Sequence, residues 1–324
     1  MHPELIFADH IPFEEKLRAM FQYQTENEPV YRRFVEALGA FDAPDVDTIP
    51  LLPVEAFRDA IIGQPKSAEI YFQSSGTTGM VRSTHYVKDT AIYRESILKG
   101  MNYFYLLKDF VVLGYTPGYS ENPHSSLIWM IHCLINADET GLSCFLRLGE
   151  SIPLKKIEEI QAAGKRIMLF GAAFGLMDMA EQFPVQLPED AIIMETGGMK
   201  THRREVSRDA MHEALAHAFG LPKANVHSEY GMTELLSQAF SDGSMWFSAP
   251  PWMRVTIRNP ENPLQALSPE TEGLIGIIDL ANIHSCSFLL TGDKGICAKD
   301  GRFQVLGRYE PENLRGCNFL IDDE

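Results

Sequence analysis

Between residues 110 and 230 the chain alternates short apolar runs with segments of helical periodicity, and this alternation leaves few folds open. The runs at 110–113, 142–148, 166–170, 191–194 and 226–230 predict strands. The intervening segments at 125–136, 154–163, around Leu176, and at 204–219 predict helices. Strands separated by helices at this spacing form parallel βαβ units. Upstream, Leu17, Met20, Phe21, Val30, Phe34 and Leu38 recur every three or four positions and predict a helix over 13–40, followed by a connector carrying Pro44, Pro50 and Pro53. Past residue 242 the texture turns to short β-type segments at 254–258, 273–280 and 303–306, punctuated by Pro and Gly. The expected class is α/β. Residues 1–241 form an α/β core with an N-terminal helical segment, and 242–324 form a smaller β-rich subdomain.

Composition narrows the partners. With 28 basic against 44 acidic residues the formal net charge is −16, so the chain lacks the broad positive field that nucleic acid or anionic lipid requires. An anionic ligand must be held locally. The most apolar stretch, 127–135, is about half the ~20 residues a membrane helix needs, and it reads as a core segment. The start, Met1-His2-Pro3-Glu4-Leu5, has no basic region followed by an apolar one, and a cytoplasmic location is expected. Five cysteines without C-x-x-C spacing, Cys133, Cys144, Cys286, Cys297 and Cys317, argue against a disulfide framework or a zinc site. His212 and His217 are five apart, not the i, i+4 of a helical zinc pair, and read as ordinary helix residues.

Chemistry concentrates in a few motifs. Phe72-Gln73-Ser74-Ser75-Gly76-Thr77-Thr78-Gly79 offers unshielded backbone N–H groups and hydroxyl donors of the kind that wrap phosphates, and Arg82 adds a charge. It lacks the Walker spacing, and a plain Ser/Thr turn fits the same residues. Tyr230-Gly231-Met232-Thr233-Glu234 lies at the end of a predicted strand, where open parallel sheets bind ligands. Tyr can stack on a base, Thr can bond a phosphate and Glu can hold Mg²⁺; a helix start capped by Thr233 fits the same residues. Thr291-Gly292-Asp293 places a carboxylate suited to ribose hydroxyls, and such a tripeptide equally fits an ordinary turn. Gly307-Arg308 and Leu314-Arg315-Gly316-Cys317 supply guanidinium groups and a thiol.

In this order and separation, the four motifs resemble those of the adenylate-forming superfamily of acyl-CoA synthetases, luciferases and peptide-synthetase adenylation domains. The resemblance covers residues 70–317. It departs from the family pattern at Met80-Val81-Arg82 and at Glu310-Pro311. It implies the large-domain fold of that superfamily, and because the sequence stops at Glu324, a chain lacking the usual C-terminal small domain. Within the superfamily the sequence is most similar to the acyl-protein synthetase of the bacterial bioluminescence fatty acid reductase complex. The shared features are the Ser-Ser-Gly-Thr-Thr-Gly loop, the Ile49-Pro50-Leu51-Leu52-Pro53-Val54 segment and a cysteine near the C-terminus.

Carried over, Ser74, Ser75, Gly76, Thr77, Thr78 and Gly79 grip the β- and γ-phosphates of ATP. Tyr230 with Gly231 flanks the adenine, Gly197 and Gly198 line its pocket or form an ordinary strand-to-helix turn, and Thr233 contacts the α-phosphate. Glu234 binds Mg²⁺, Asp293 holds the ribose and Arg308 lies near the same nucleotide. His124 falls near the acyl site, or acts as a capping or surface residue. Cys317, with Arg315 favouring its thiolate, is the expected acyl acceptor, the other reading being a buried structural thiol. The leading expectation is an ATP-dependent acyl-protein synthetase that loads a fatty or aromatic acid on Cys317 and passes it to a reductase or carrier protein. The alternatives are an acyl-CoA or aryl-CoA ligase core transferring directly to coenzyme A or a carrier thiol, and a non-catalytic nucleotide-binding subunit.

Overall fold

The computed structural model describes residues 2–40, 45–74, 82–116, 123–197 and 206–309. The chain opens with α1 (Phe13–Asn27), α2 (Pro29–Leu38), β1 (Leu52–Pro53) and the short α3 (Ala56–Asp59). A hairpin of β2 (Ile70–Gln73) and β3 (Thr84–Val87) leads into α4 (Thr90–Phe104). Then come β4 (Phe110–Tyr115), α5 (Ser126–Asn136), β5 (Cys144–Phe145), α6 (Leu154–Ala162), β6 (Arg166–Ala172) and α7 (Ala173–Gln182). Next are β7 (Ile192–Thr196), α8 (Arg208–Phe219), β8 (Val226–Tyr230) and β9 (Ala239–Ser241). The last described strands are β10 (Met253–Asn259), β11 (Asn262–Ala266), β12 (Gly273–Asp279), β13 (Phe288–Cys297) and β14 (Phe303–Arg308).

The first large sheet has the order β5-β4-β6-β7-β8-β9, parallel except for the β8–β9 pair. Its central strands are apolar on both faces, as a sheet covered on both sides requires. Alternate residues sort between two cores. Val111, Leu113, Ile167, Leu169 and Ile193 meet apolar residues of α6, α7 and α8, while Val112, Met168, Phe170, Ile192 and Met194 join those of α4 and α5. Ser125 caps α5 and Ser207 caps α8, each side chain accepting an N–H of the first turn, and Gly220 ends α8 at φ 66°.

The second sheet runs β1-β13-β12-β10-β11, with β14 on β13. Its first strand comes from the N-terminal part of the chain: Leu52 and Pro53 pair in parallel with Leu289 and Leu290. One apolar cluster runs across residue 242, uniting Leu17, Met20 and Phe21 with Ile277, Phe288 and Leu289.

Several elements differ from the sequence expectation. The helix over 13–40 is two helices, because Pro29 has no N–H and forces Glu28 into extended backbone (φ −108°, ψ 104°). The strand over 142–148 shrinks to the two residues of β5. The Tyr-Gly-Met-Thr-Glu segment starts no helix: turns follow β8 until β9 begins at Ala239. Thr291-Gly292-Asp293 is no turn either, since it lies inside β13, the longest strand described. The hairpin and α4 went unread between the Ser/Thr-rich loop and residue 110.

Candidate active site at the seam of the two sheets

Tyr230 ends β8 of the first sheet, and Asp293 lies in β13 of the second. The Tyr230 hydroxyl donates to Asp293 Oδ2 at 2.9 Å. Arg308 stands opposite Asp293 across the β13–β14 ladder, its Nε 3.2 Å from Asp293 Oδ1. Both carboxylate oxygens are thus engaged at the point where the sheets meet. The Arg308 side chain is 53% exposed, so its end of this chain of contacts is open to exchange. Tyr230 packs its ring against Phe303 and Phe247, at centroid distances of 5.5 and 5.9 Å, and burial beside Asp293 raises its hydroxyl pKa well above the ordinary value.

Glu234 lies four residues on, buried, with its Oε1 accepting from the Ser83 hydroxyl. Burial raises its pKa; the Ser83 hydrogen bond and the Arg308 charge act in the opposite sense. Ser83 is just outside β3, and its N–H donates to Ser74 Oγ at 3.1 Å while Ser74 N–H donates back to Ser83 O at 3.2 Å. The Ser/Thr-rich loop therefore leaves and rejoins the fold beside Glu234. Magnesium fits this donor set: one hard carboxylate at the foot of a Ser/Thr-rich loop suits an ion that takes few protein ligands and keeps the rest of its coordination on phosphate oxygens and water. Among the described residues no group of three or more His, Cys, Asp or Glu could hold a metal by protein ligands alone.

Thr233 is half-buried, its carbonyl taken by the buried His85. Gly197 sits just past β7 at φ 74°, with open space where a Cβ would stand. Since Thr196 pairs with Glu229, Gly197 is level with Tyr230. Gly231 lies against Glu229: a Cβ there would overlap Glu229 Oε1. The ring of His124 stacks on Tyr71 at 3.9 Å, and its carbonyl accepts from Gln73 N–H at 2.9 Å, placing it beside the hairpin mouth. Arg82 is exposed at the same mouth. Ser75, Gly76, Thr77, Thr78, Gly79, Gly198, Arg315 and Cys317 lie outside the described residues.

Sequence reasoning missed the residues that hold this site. Ser83, His85 and Val87 are buried while Thr84 and Tyr86 are not, so a strand-period alternation with Ser and His on the inward side was the available signal. It also missed the surroundings of His212, which is buried against Ser228 Oγ (3.2 Å) and Glu195 Oε1 (3.5 Å). Both contacts use the same ring nitrogen, Nε2, so this is a satisfied polar cluster and not a nucleophile–base–acid relay. Arg208 flanks it, 4.0 Å from Glu195 and stacked 4.5 Å from the Phe247 ring centroid. No described helix is long and apolar enough to cross a membrane.

Comparison with solved structures gives the same architecture. A 2-hydroxyisobutyryl-CoA ligase, solved with its acyl-adenylate and coenzyme A, aligns with a TM-score of 0.63 at 13% identity over 91% of this chain and 69% of that one. MatB from Rhodopseudomonas palustris, solved with ATP, gives 0.50 at 16% identity over 74% of this chain and 47% of that one. The amide bond synthetase McbA from Marinactinospora thermotolerans gives 0.50 at 17% identity over 76% and 50%. A sequence comparison with functionally characterised proteins finds no significant match. A family model, described as acyl-protein synthetase, LuxE, matches residues 12–324. With that match spanning nearly the whole sequence over an adenylate-forming fold, the chain belongs to the LuxE acyl-protein synthetase family and is an ATP-dependent, AMP-forming ligase.

Proposed function

We propose that the protein activates a fatty or aromatic carboxylic acid as its acyl-adenylate at the seam of the two sheets, loads the acyl group on Cys317, and passes it to a partner such as a reductase or carrier protein. The observation that carries this reading is the convergence of Tyr230, Asp293 and Arg308 from different sheets, with Glu234 at the foot of the Ser/Thr-rich loop. In the first step an oxygen of the acid attacks the α-phosphorus of ATP and the bond to pyrophosphate breaks. Ser74, Ser75, Gly76, Thr77, Thr78 and Gly79 hold the β- and γ-phosphates, and Thr233 holds the α-phosphate. Tyr230 and Gly231 with Gly197 and Gly198 enclose the adenine, while His124 borders the acyl group. Asp293 takes the ribose by exchanging one present partner for a hydroxyl, and Arg308, the more exposed partner, is the one to yield. Glu234 would hold Mg²⁺, which when bound would supply neutralisation of the phosphate charge. The reaction needs positioning and charge neutralisation more than proton transfer.

In the second step the Cys317 thiolate attacks the acyl carbonyl, AMP leaves, and a thioester forms. The other thiols are poorly suited. Burial pushes Cys133 and Cys297 up to about 11 and raises Cys286 further. Cys144 is on the edge strand β5, four strands from Tyr230, or about 19 Å across the sheet.

Acid-dependent ATP–pyrophosphate exchange tests the first step. Glu234→Gln should slow exchange at least tenfold, a barrier change of about 1.4 kcal/mol; exchange unchanged across Mg²⁺ concentrations would remove Glu234 from the metal site. Cys317→Ala should leave exchange nearly intact and abolish hydroxylamine-labile labelling by radioactive acid and ATP. Label that persists, or acyl-CoA that forms with coenzyme A while the protein stays unlabelled, points instead to direct transfer. ATP binding without any exchange points to a non-catalytic subunit.

A further inference from the structure

The turn that carries Thr233 and Glu234 has no helix or strand of its own, so the backbone polar groups there must find partners elsewhere. His85 Nδ1 lies 2.8 Å from Thr233 O, and Nε2 lies 2.8 Å from Ser285 Oγ. A carbonyl can only accept, so Nδ1 carries the ring hydrogen, and Nε2 of the neutral ring accepts from the Ser285 hydroxyl. One residue on, Asn282 Nδ2 donates to Glu234 O at 2.8 Å. Asp279 then accepts Leu236 N–H and Ser237 N–H, each at 2.9 Å. Phe57 meets the His85 ring at 5.4 Å in an edge contact, fixing its plane from a further side. The Ser83 hydroxyl, two residues before His85 on the same hairpin, holds the Glu234 carboxylate itself.

We propose that His85 is a positioning residue that fixes the Glu234 carboxylate relative to the phosphate loop by gripping the Thr233 carbonyl, a role that rests on the reading of Glu234 as the magnesium carboxylate. Because Ser83 immediately precedes β3 and His85 lies within it, one hairpin carries both contacts to the Thr233–Glu234 turn. The grip depends on one donor in one place. An Asn side chain puts its amide nitrogen near the position of Nδ1, whereas a Gln side chain reaches the position of Nε2 and leaves the Thr233 carbonyl unpartnered.

The test is calorimetric binding of α,β-methylene-ATP with Mg²⁺ and with EDTA, on the full chain, read as the Kd with EDTA divided by the Kd with Mg²⁺. His85→Gln should lower that ratio at least fivefold, and His85→Asn should hold it within twofold of the parent protein. A purely structural histidine would move both variants together in thermal stability and leave the ratio alone. Equal loss of coupling in both variants, or no loss in either, overturns the proposal. Should His85→Gln not fold, Asn282→Ala carries the same expectation through the Glu234 carbonyl, and unchanged coupling there overturns it. Failure of the underlying reading looks different: the parent protein itself would bind the analogue equally well with and without Mg²⁺.

Discussion

Glu229 is a carboxyl group removed from water, with the Thr196 hydroxyl as its donor. Burial pushes its pKa up to about 7, Glu195 adds to the rise, and the Thr196 hydrogen bond opposes it. A carboxyl whose folded pKa is raised binds its proton more tightly in the native state, so the contribution to stability is full below its unfolded value. It is lost as pH climbs from about 4.5 to about 7. Glu229→Gln cannot ionise and still accepts from Thr196. Its urea midpoint should therefore fall less than that of the parent between pH 5 and pH 8, by the equivalent of a few kcal/mol. Parallel curves for the two proteins would show that Glu229 titrates normally. The same carboxyl explains why position 231 is glycine. Gly231→Ala places a methyl group on Glu229 Oε1 and should cost about 1–3 kcal/mol, part of which Glu229→Asp in the same chain should restore; strictly additive effects would count against the clash.

At the scale of elements, polar side chains join what local propensity leaves separate. Glu28 ends α1 in extended backbone, accepts Val30 N–H at 3.1 Å as the cap of α2, and with its other oxygen accepts Gly63 N–H at 2.8 Å. Glu28→Ala leaves two backbone donors unpaired and should lower unfolding free energy by about 1–3 kcal/mol in a denaturant titration. No measurable loss would mean that water replaces both contacts. Arg258, fully buried in β10, does similar work for the connector after α2: its guanidinium donates to the carbonyls of Val46 at 2.9 Å and Asp47 at 2.5 Å. Burial brings its pKa down to about 10, which leaves it charged at neutral pH.

Across the whole molecule the two sheets share one apolar cluster, and the N-terminal helix is tied to the segment that supports the turn after β8. Gln24, fully buried in α1, donates to Asn282 O at 3.1 Å and accepts Ser287 N–H at 2.9 Å. With β1 paired to β13 as well, neither sheet can lose its packing without disturbing the other. Urea unfolding should accordingly be one transition, with tryptophan fluorescence, sampling Trp129 beside α4 and Trp252 beside β10, coinciding with far-UV ellipticity. Two resolved transitions would show that the sheets unfold as separate units.

The parallel strands β4, β6, β7 and β8 and the helices between them were legible because burial on two faces writes a local pattern into every few residues. The four motifs stand out in the sequence for a related reason: the phosphate, base and ribose contacts proposed for them each demand particular residue types close together in the chain. β13 was not, since Thr291, Asp293 and Lys294 break its apolar run, and only pairing with β12 and β14 makes it a central strand. The same holds for the contacts that build the site. Tyr230 finds Asp293 across 63 residues, His85 finds Thr233 across 148, and Gln24 finds Ser287 across 263. A sequence pattern reports which side chains leave water; which donor then meets which acceptor depends on how the two sheets pack, because a buried polar atom must take the partner that the tertiary structure brings within reach.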